Sequence, residues 1–288
     1  MKRIYELART LCAIPAVSGR EYTAGARLLE LLSGSFDEAG LTPLGSFYGI
    51  RRCGKTGAKR ILLDAHLDTV GFLVTERLAG GFLKVTPVGK IAEKVLPASE
   101  VRIFGKETIG GVFVSPPPHL QSAEESAKKM EVAEIAVDTG RSLEELEALV
   151  PIGTPVFFKA GLERLEGNCA VGAGFDDRLC AAVILRALEE IKEGALDLDI
   201  VFQFSVCEET GYKGAMTGAH MHAPDCAVVL DVANAYVPNA PLWRAGVKAG
   251  AGCLITRSPQ ISRSFTDFVI SVAKKRGIPH QIGAEPIR

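Results

Sequence analysis

Apolar residues near the amino terminus recur with a helical period. Ile4, Leu7, Ala8 and Leu11 fall at i, i+3, i+4 and i+7, which predicts an amphipathic helix docked by one face. A second helical run, YTAGARLLELLSGSFDEAG, extends from Tyr22 to Gly40. After a glycine-rich turn the period changes. RILLDAHLD opens almost continuously apolar, the pattern of a strand covered on both faces of an α/β sheet. From about Val70 to Ala160 the texture is different again. GFLVTE, GFLKVTPVG, SEVRIFG and IGGVFVS are short β-rich runs punctuated by Gly and Pro, at the spacing of a small sandwich or barrel. One short helix is predicted in RSLEELEALV, where Ser142 and Glu145 stand in capping-box order, and PIGTPVFFKAG is again strand-like.

From Leu162 the α/β rhythm returns. DDRLCAAVILRALEEIKEG is apolar almost all round, which predicts a buried helix. LDIVFQFSVCEE and DCAVVLDV predict strands and YKGAMTGAHM a helix. SFTDFVISVAKKRG predicts a further helix, with basic residues in its last turn and Gly277 closing it. The order is that of one α/β domain, residues 1–69 and 161–288, carrying a β-rich insertion over residues 70–160. No internal repeat or low-complexity segment is present.

Composition narrows the picture only a little. A chain of 288 residues can bury a large core, and 47% hydrophobic with 23% charged residues is ordinary for a globular protein. A net charge of −1 exerts no general pull on nucleic acid or anionic membrane. No run reaches the roughly 18 apolar residues of a spanning helix, and Glu6 and Arg9 interrupt any signal-peptide core. Seven cysteines without C-x-x-C spacing argue against a disulfide framework or a zinc knuckle. They point to a reducing, cytoplasmic setting.

Candidate chemistry gathers where apolar segments end. Strand alternation puts His66 and Asp68 on one side, at the carboxyl end where α/β sheets bind ligands; a simple His–Asp pair would account for them equally well. Asp176 and Asp177 precede the buried helix, and N-capping explains one of them. Glu208 and Glu209 close one strand and Asp231 another. Adjacent carboxylates repel, and buried charge is costly unless compensated. One histidine with several carboxylates and no thiolate is the donor set of a hydrolytic site for zinc, cobalt or manganese, in which one carboxylate can bridge two ions. His119, in a proline-rich loop, and His220 and His222, near a helix end, read as structural or surface residues. Cys207, alternating with Glu208, is expected to point away from it into an apolar setting.

The ordered set H-L-D, D-D-R, E-E-T-G and L-D-V resembles the co-catalytic dinuclear aminopeptidases. More closely, the chain resembles the glutamyl aminopeptidase group, also called TET or FrvX-like peptidases. AIPAVSGRE, PPPHL, AVDTG and PIGTPVFFK share that likeness, which runs over essentially the whole chain. The resemblance implies a central mixed sheet flanked by helices, of the phosphorylase/zinc-peptidase type, with an inserted small β-barrel that mediates dimerisation within a larger assembly, often a dodecamer. It implies peptide substrates and two divalent ions, zinc or cobalt in the first place and manganese as an option. Asp176 would bridge the ions, His66 and Asp231 would complete one site, and Glu209 would belong to the other. Glu208 would be the general base, and Asp68 would orient His66. It also implies a strained, cis Asp176–Asp177 peptide that leaves Asp177 structural.

In that pattern the second ion takes a further histidine, downstream of a G-T-D-A-like segment whose place would follow Arg288; His280 precedes that place and is expected in a loop. With two protein ligands, Asp176 and Glu209, weaker binding of the second ion is expected. A piece of a longer chain and a paralogue with an impaired second site are both open on these residues. So are a non-catalytic assembly subunit and a metal-dependent deacylase or endoglucanase-labelled relative.

Overall fold

Among the described residues, five strands build one mixed sheet: β1 (Glu38–Leu41), β2 (Phe47–Arg51), β3 (Lys59–His66), β12 (Leu198–Ser205) and β13 (Cys226–Val229), in the order β1-β2-β12-β3-β13. The structure is a computed structural model and describes residues 2–117, 132, 135–159, 161–191, 196–235 and 247–284. His119 lies outside the described residues. Two compact units divide the chain, Met1–Asp231 and Val232–Arg288.

In the first unit, β3 runs parallel to β12 and β13, with Ser205 opposite His66 and Val229 opposite Asp64. Three neighbouring strands therefore finish at one edge. Side chains of β12 alternate across the sheet: Ile200, Phe202 and Phe204 join the core under α1 (Lys2–Cys12), α2 (Tyr22–Leu32) and α4 (Phe175–Glu190). Val201 faces the other way, in a smaller cluster with Ile50, Leu62 and Ala219 of α5 (Lys213–His222). Phe36, Phe47, Phe202 and Phe204 interlock on the deeper face, with Phe202 and Phe204 centroids 4.5 Å apart in edge contact. Burying each such ring contributes about 2–3 kcal/mol.

The second helix is shorter than its periodicity suggests. It ends at Leu32, a 3₁₀ turn covers Ser33–Ser35, and Glu38–Leu41 pairs antiparallel with β2. Gly34 between two serines offers little helix propensity. Phe36 gains more by stacking 5.9 Å from Phe202 than by prolonging an exposed helix. Helix α4 is likewise less enclosed than expected. Ala181, Ile184, Leu185 and Leu188 are buried, whereas Val183 and Glu190 are exposed and Glu189 takes an ion pair from Arg3 at 2.6 Å.

Between β3 and α4, strands β4 (Gly71–Leu78), β5 (Phe82–Val88), β6 (Glu100–Phe104), β7 (Thr108–Val114), β8 (Ala136–Asp138) and β9 (Pro155–Phe158) close a barrel in the order β4-β5-β8-β7-β6-β9. Inward positions such as Phe72, Val74, Leu83, Ile103, Phe113, Val137 and Val156 fill it. Leu146 of α3 (Leu143–Leu149) packs with them. The predicted capping box is present: Ser142 Oγ accepts from the Glu145 N–H at 3.2 Å, and Glu145 Oε2 from the Ser142 N–H at 2.8 Å. A hairpin of β10 (Leu162–Arg164) and β11 (Ala170–Gly172) leads into α4.

The second unit contains a β-α-β element of β14 (Cys253–Arg257), α6 (Arg263–Lys275) and β15 (His280–Ala284), its strands parallel. Gly277 adopts φ +63° after the helix, the left-handed geometry that favours glycine there. His280 starts β15 rather than lying in a loop, because Cys253 pairs opposite it. All seven cysteines are free. No helix among the described residues is long and apolar enough to cross a membrane.

Candidate active site

The parallel ends of β12, β3 and β13 deliver their terminal residues to one place, and the start of α4 meets them. His66, Asp176 and Asp231 each offer a donor atom, and these atoms lie within 4.8 Å of one another. His66 Nε2 is 2.9 Å from Asp176 Oδ1. The His66 ring is almost wholly enclosed at 4% exposure, while the Asp176 side chain is 57% exposed, so the group opens outward along Asp176. The Asp176–Asp177 peptide is cis. Asp176 Oδ1 meets His66, and among the described residues neither carboxylate oxygen of Asp177 finds a main-chain hydrogen-bond partner, so capping accounts for neither aspartate.

The tautomer of His66 follows from its surroundings. Nδ1 sits 2.8 Å from the main-chain oxygen of Asp68. A carbonyl oxygen only accepts, so Nδ1 carries hydrogen and donates, leaving Nε2 to face Asp176. Burial opposes a charge on the ring, but the hydrogen bond to Asp176 and the carboxylates of Asp68 and Glu208 outweigh it, lifting the pKa to about 10.

Asp68 is fully buried and acts through both of its ends. Its main-chain oxygen orients His66, whereas its carboxylate accepts from the N–H of Glu208 at 3.0 Å and of Glu209 at 3.1 Å. Oδ1 stands 3.8 Å from His66 Nδ1. The sequence suggested only the partnership with His66; a main-chain donor leaves no trace in residue identities.

The glutamate pair lies beyond the end of β12, in a turn. Cys207 has φ +56°, so strand alternation does not carry through to Glu208 and cannot place the thiol. Cys207 instead packs at the margin of the main core, where burial raises its pKa. Glu208 Oε2 comes to 3.9 Å from His66 Nε2. Burial raises its pKa, with His66 pulling the other way. Glu209 stands outside the three-residue group and beside Gly89: a Cβ there would lie 3.4 Å from Glu209 Oε2. Burial and the charges of Asp176 and Glu208 push Glu209 up to about 7. Asp177, fully buried, is pushed by burial to about 8. Acids held this far up mark a site short of positive charge.

The turn is clamped from the amino-terminal loop. The Cys207 N–H donates to Glu21 Oε1 at 3.0 Å, and the Ser18 and Thr210 hydroxyls meet at 2.9 Å. Both anchors belong to SGRE, which carried no chemical signal of its own. His220 is exposed, as expected of a surface residue, but His222 is buried rather than superficial. Its ring lies 4.7 Å from that of Tyr48, and burial lowers its pKa.

This donor set fits a divalent cation: an imidazole whose Nδ1–H is held by a main-chain oxygen so that Nε2 faces Asp176, two converging aspartates, and raised acids nearby. Comparison with known proteins agrees. A family model for M42 glutamyl aminopeptidases matches residues 45–286. The lysyl aminopeptidase of Pyrococcus furiosus is 30% identical over 288 residues, covering 98% of this chain and 81% of that protein. The TET aminopeptidase of the marine sediment archaeon Thaumarchaeota archaeon SCGC AB-539-E09 superposes with a TM-score of 0.90 at 30% identity, over 100% of this chain and 82% of that one. The Pyrococcus horikoshii TET1 peptidase gives 0.85 at 28% identity, over 99% and 85%. The chain belongs to the M42 glutamyl aminopeptidase family and is an aminopeptidase, a hydrolase of peptide bonds.

Proposed function

We propose that the protein removes amino-terminal residues from peptides at a dinuclear metal centre. The observation that carries this is the convergence of His66, Asp176 and Asp231, with Glu208 3.9 Å from His66 Nε2. His66, Asp176 and Asp231 would hold one ion, and Asp176 with Glu209 would hold the second. Zinc or cobalt, with manganese as the further option, suit these donors. Such ions, when bound, bring the pKa of a water toward about 7 and polarise the scissile carbonyl.

The chain's own residues do the rest. Glu208, partly enclosed and raised in pKa by burial, accepts the proton of the attacking water and passes it to the leaving amine. Asp68 keeps Glu208 and Glu209 in register by holding both of their N–H groups. The carboxylate-rich surroundings attract the free α-ammonium group of a peptide, which limits attack to its first residue.

The barrel is the dimerisation element of a homo-oligomer in this reading, supported by the solved relatives, one of them a dodecamer and another described as a tetrahedron or octahedral shell. The domains are residues 1–69 with 161–288, and the insertion 70–160. Seven free thiols suit the cytoplasm.

The test is a panel of aminoacyl chromogenic substrates with and without zinc or cobalt, alongside metal analysis. Chelator-sensitive release of an amino-terminal residue is expected. Absence of turnover with every ion, the fold being intact, would overturn the reading, as would cleavage of amino-blocked substrates alone. In the same assays, Glu208→Gln should lower kcat by at least about a hundredfold with metal content unchanged. Loss of metal in that variant would refute the division of labour between the two glutamates.

A further inference from the structure

Two residues beyond Asp176, Arg178 is wholly enclosed and heads the fully buried side chains by volume. A buried guanidinium is costly unless its donors and its charge are answered. No carboxylate approaches Arg178 within ion-pair distance among the described residues. Its hydrogen bonds go to main-chain oxygens: Nε to Leu67 at 3.1 Å, Nη1 to Leu11 at 3.0 Å, and Nη1 also to Ile14. Its charged carbon stands 6.0 Å from the centre of the Phe157 ring in the barrel. Among the described residues, Nη2 finds no hydrogen-bond partner.

A strut between α1, the sheet and the barrel could be apolar, and would then avoid the cost of burying a charge. The position of Leu67 gives the charge a purpose. Leu67 lies between His66 and Asp68, and its carbonyl fixes the peptide plane leading into Asp68. The Asp68 main-chain oxygen in turn orients His66, and the Asp68 carboxylate holds the N–H groups of Glu208 and Glu209. One guanidinium thus underlies a continuous series of contacts, Arg178 to Leu67, Leu67 to Asp68, and Asp68 to His66 and both glutamates.

We infer that Arg178 is a positioning residue of the metal centre, which sets the orientation of His66 and of the glutamate turn through the Leu67 carbonyl. The inference rests on the proposed metal-ligand role of His66, Asp176 and Asp231. It is tested with Arg178→Met, Arg178→Lys and, as a packing control, Phe157→Leu. Zinc affinity of the metal-free protein is measured by competition with a chromogenic chelator, alongside thermal unfolding and separate kcat and KM values.

Arg178→Met should weaken zinc binding by about 10- to 100-fold, the usual effect of losing a group that orients a ligand, and lower kcat more than it raises KM. Arg178→Lys should recover part of the affinity, while Phe157→Leu should lower the unfolding temperature and leave zinc affinity unchanged. A folded Arg178→Met protein that binds zinc like the wild type overturns the inference. So does a Phe157→Leu protein that loses zinc as severely. Should the methionine variant not fold, undiminished affinity in Arg178→Lys has the same force. A wild-type chain that binds no zinc instead removes the metal-site reading beneath it.

Discussion

At the scale of single residues, the centre is a balance between burial and charge. Asp64, on the same strand as His66, shows the same balance. It is buried against Gln203 and Ser205, which donate to it at 2.9 and 3.1 Å. Burial nevertheless raises its pKa from 3.8 to about 6. A carboxyl whose folded pKa is raised stabilises the fold fully below its unfolded pKa, and that contribution is lost as pH rises through the folded value. The shift corresponds to about 3 kcal/mol at about 1.4 kcal/mol per pKa unit. Asp64→Asn should therefore gain stability relative to the wild type as pH rises from about 4 to 7. Urea unfolding of the metal-free proteins across that range checks this, and parallel pH profiles would refute it. The residues that hold the centre in place were the least legible in the sequence. Glu21, Ser18 and Arg178 act on main-chain groups or on one hydroxyl, and such contacts impose no recognisable spacing.

At the scale of elements, apolar period located most strands and helices because one-sided burial leaves a repeat in the chain. It failed where the buried run was brief. FYGIR, which forms β2, is a short run with Phe47, Gly49 and Ile50 buried, and no alternation distinguishes it. Helix α5 adds a constraint that period does not register. Gly214 donates its N–H to the Val206 carbonyl at 2.9 Å, closing the turn that carries Glu208 and Glu209. A Cβ on Gly214 would lie 2.3 Å from that oxygen and 2.4 Å from the Val206 nitrogen. Main-chain atoms cannot step aside as a flexible side chain can, so Gly214→Ala should cost about 1–3 kcal/mol. It should also reduce kcat by displacing the turn. Thermal unfolding and steady-state kinetics read the two effects, and an unshifted unfolding temperature would count against the clash.

At the scale of the whole molecule, the proposed assembly makes the simplest demand. Light scattering on the purified protein should give a mass that is a multiple of the 30.7 kDa chain; a monomer at all concentrations would refute the proposed homo-oligomer. The motifs H-L-D, D-D-R, E-E-T-G and L-D-V were visible in order along the chain, and with them the family, because metal-binding chemistry requires particular side chains at the ends of particular strands. A closed barrel within an α/β chain was foreshadowed by the change from helical period to short β runs between Val70 and Ala160. Sequence by itself therefore determined the chemistry on offer: one histidine, six acids and the apolar elements that carry them. Tertiary structure alone decided which of them meet. The parallel register of β12, β3 and β13 brings residues separated by more than a hundred positions to one edge. The turn after β12 sets Glu208 toward His66 and Glu209 beside Gly89, because its N–H groups are held by Asp68, whose own place depends on a neighbouring strand.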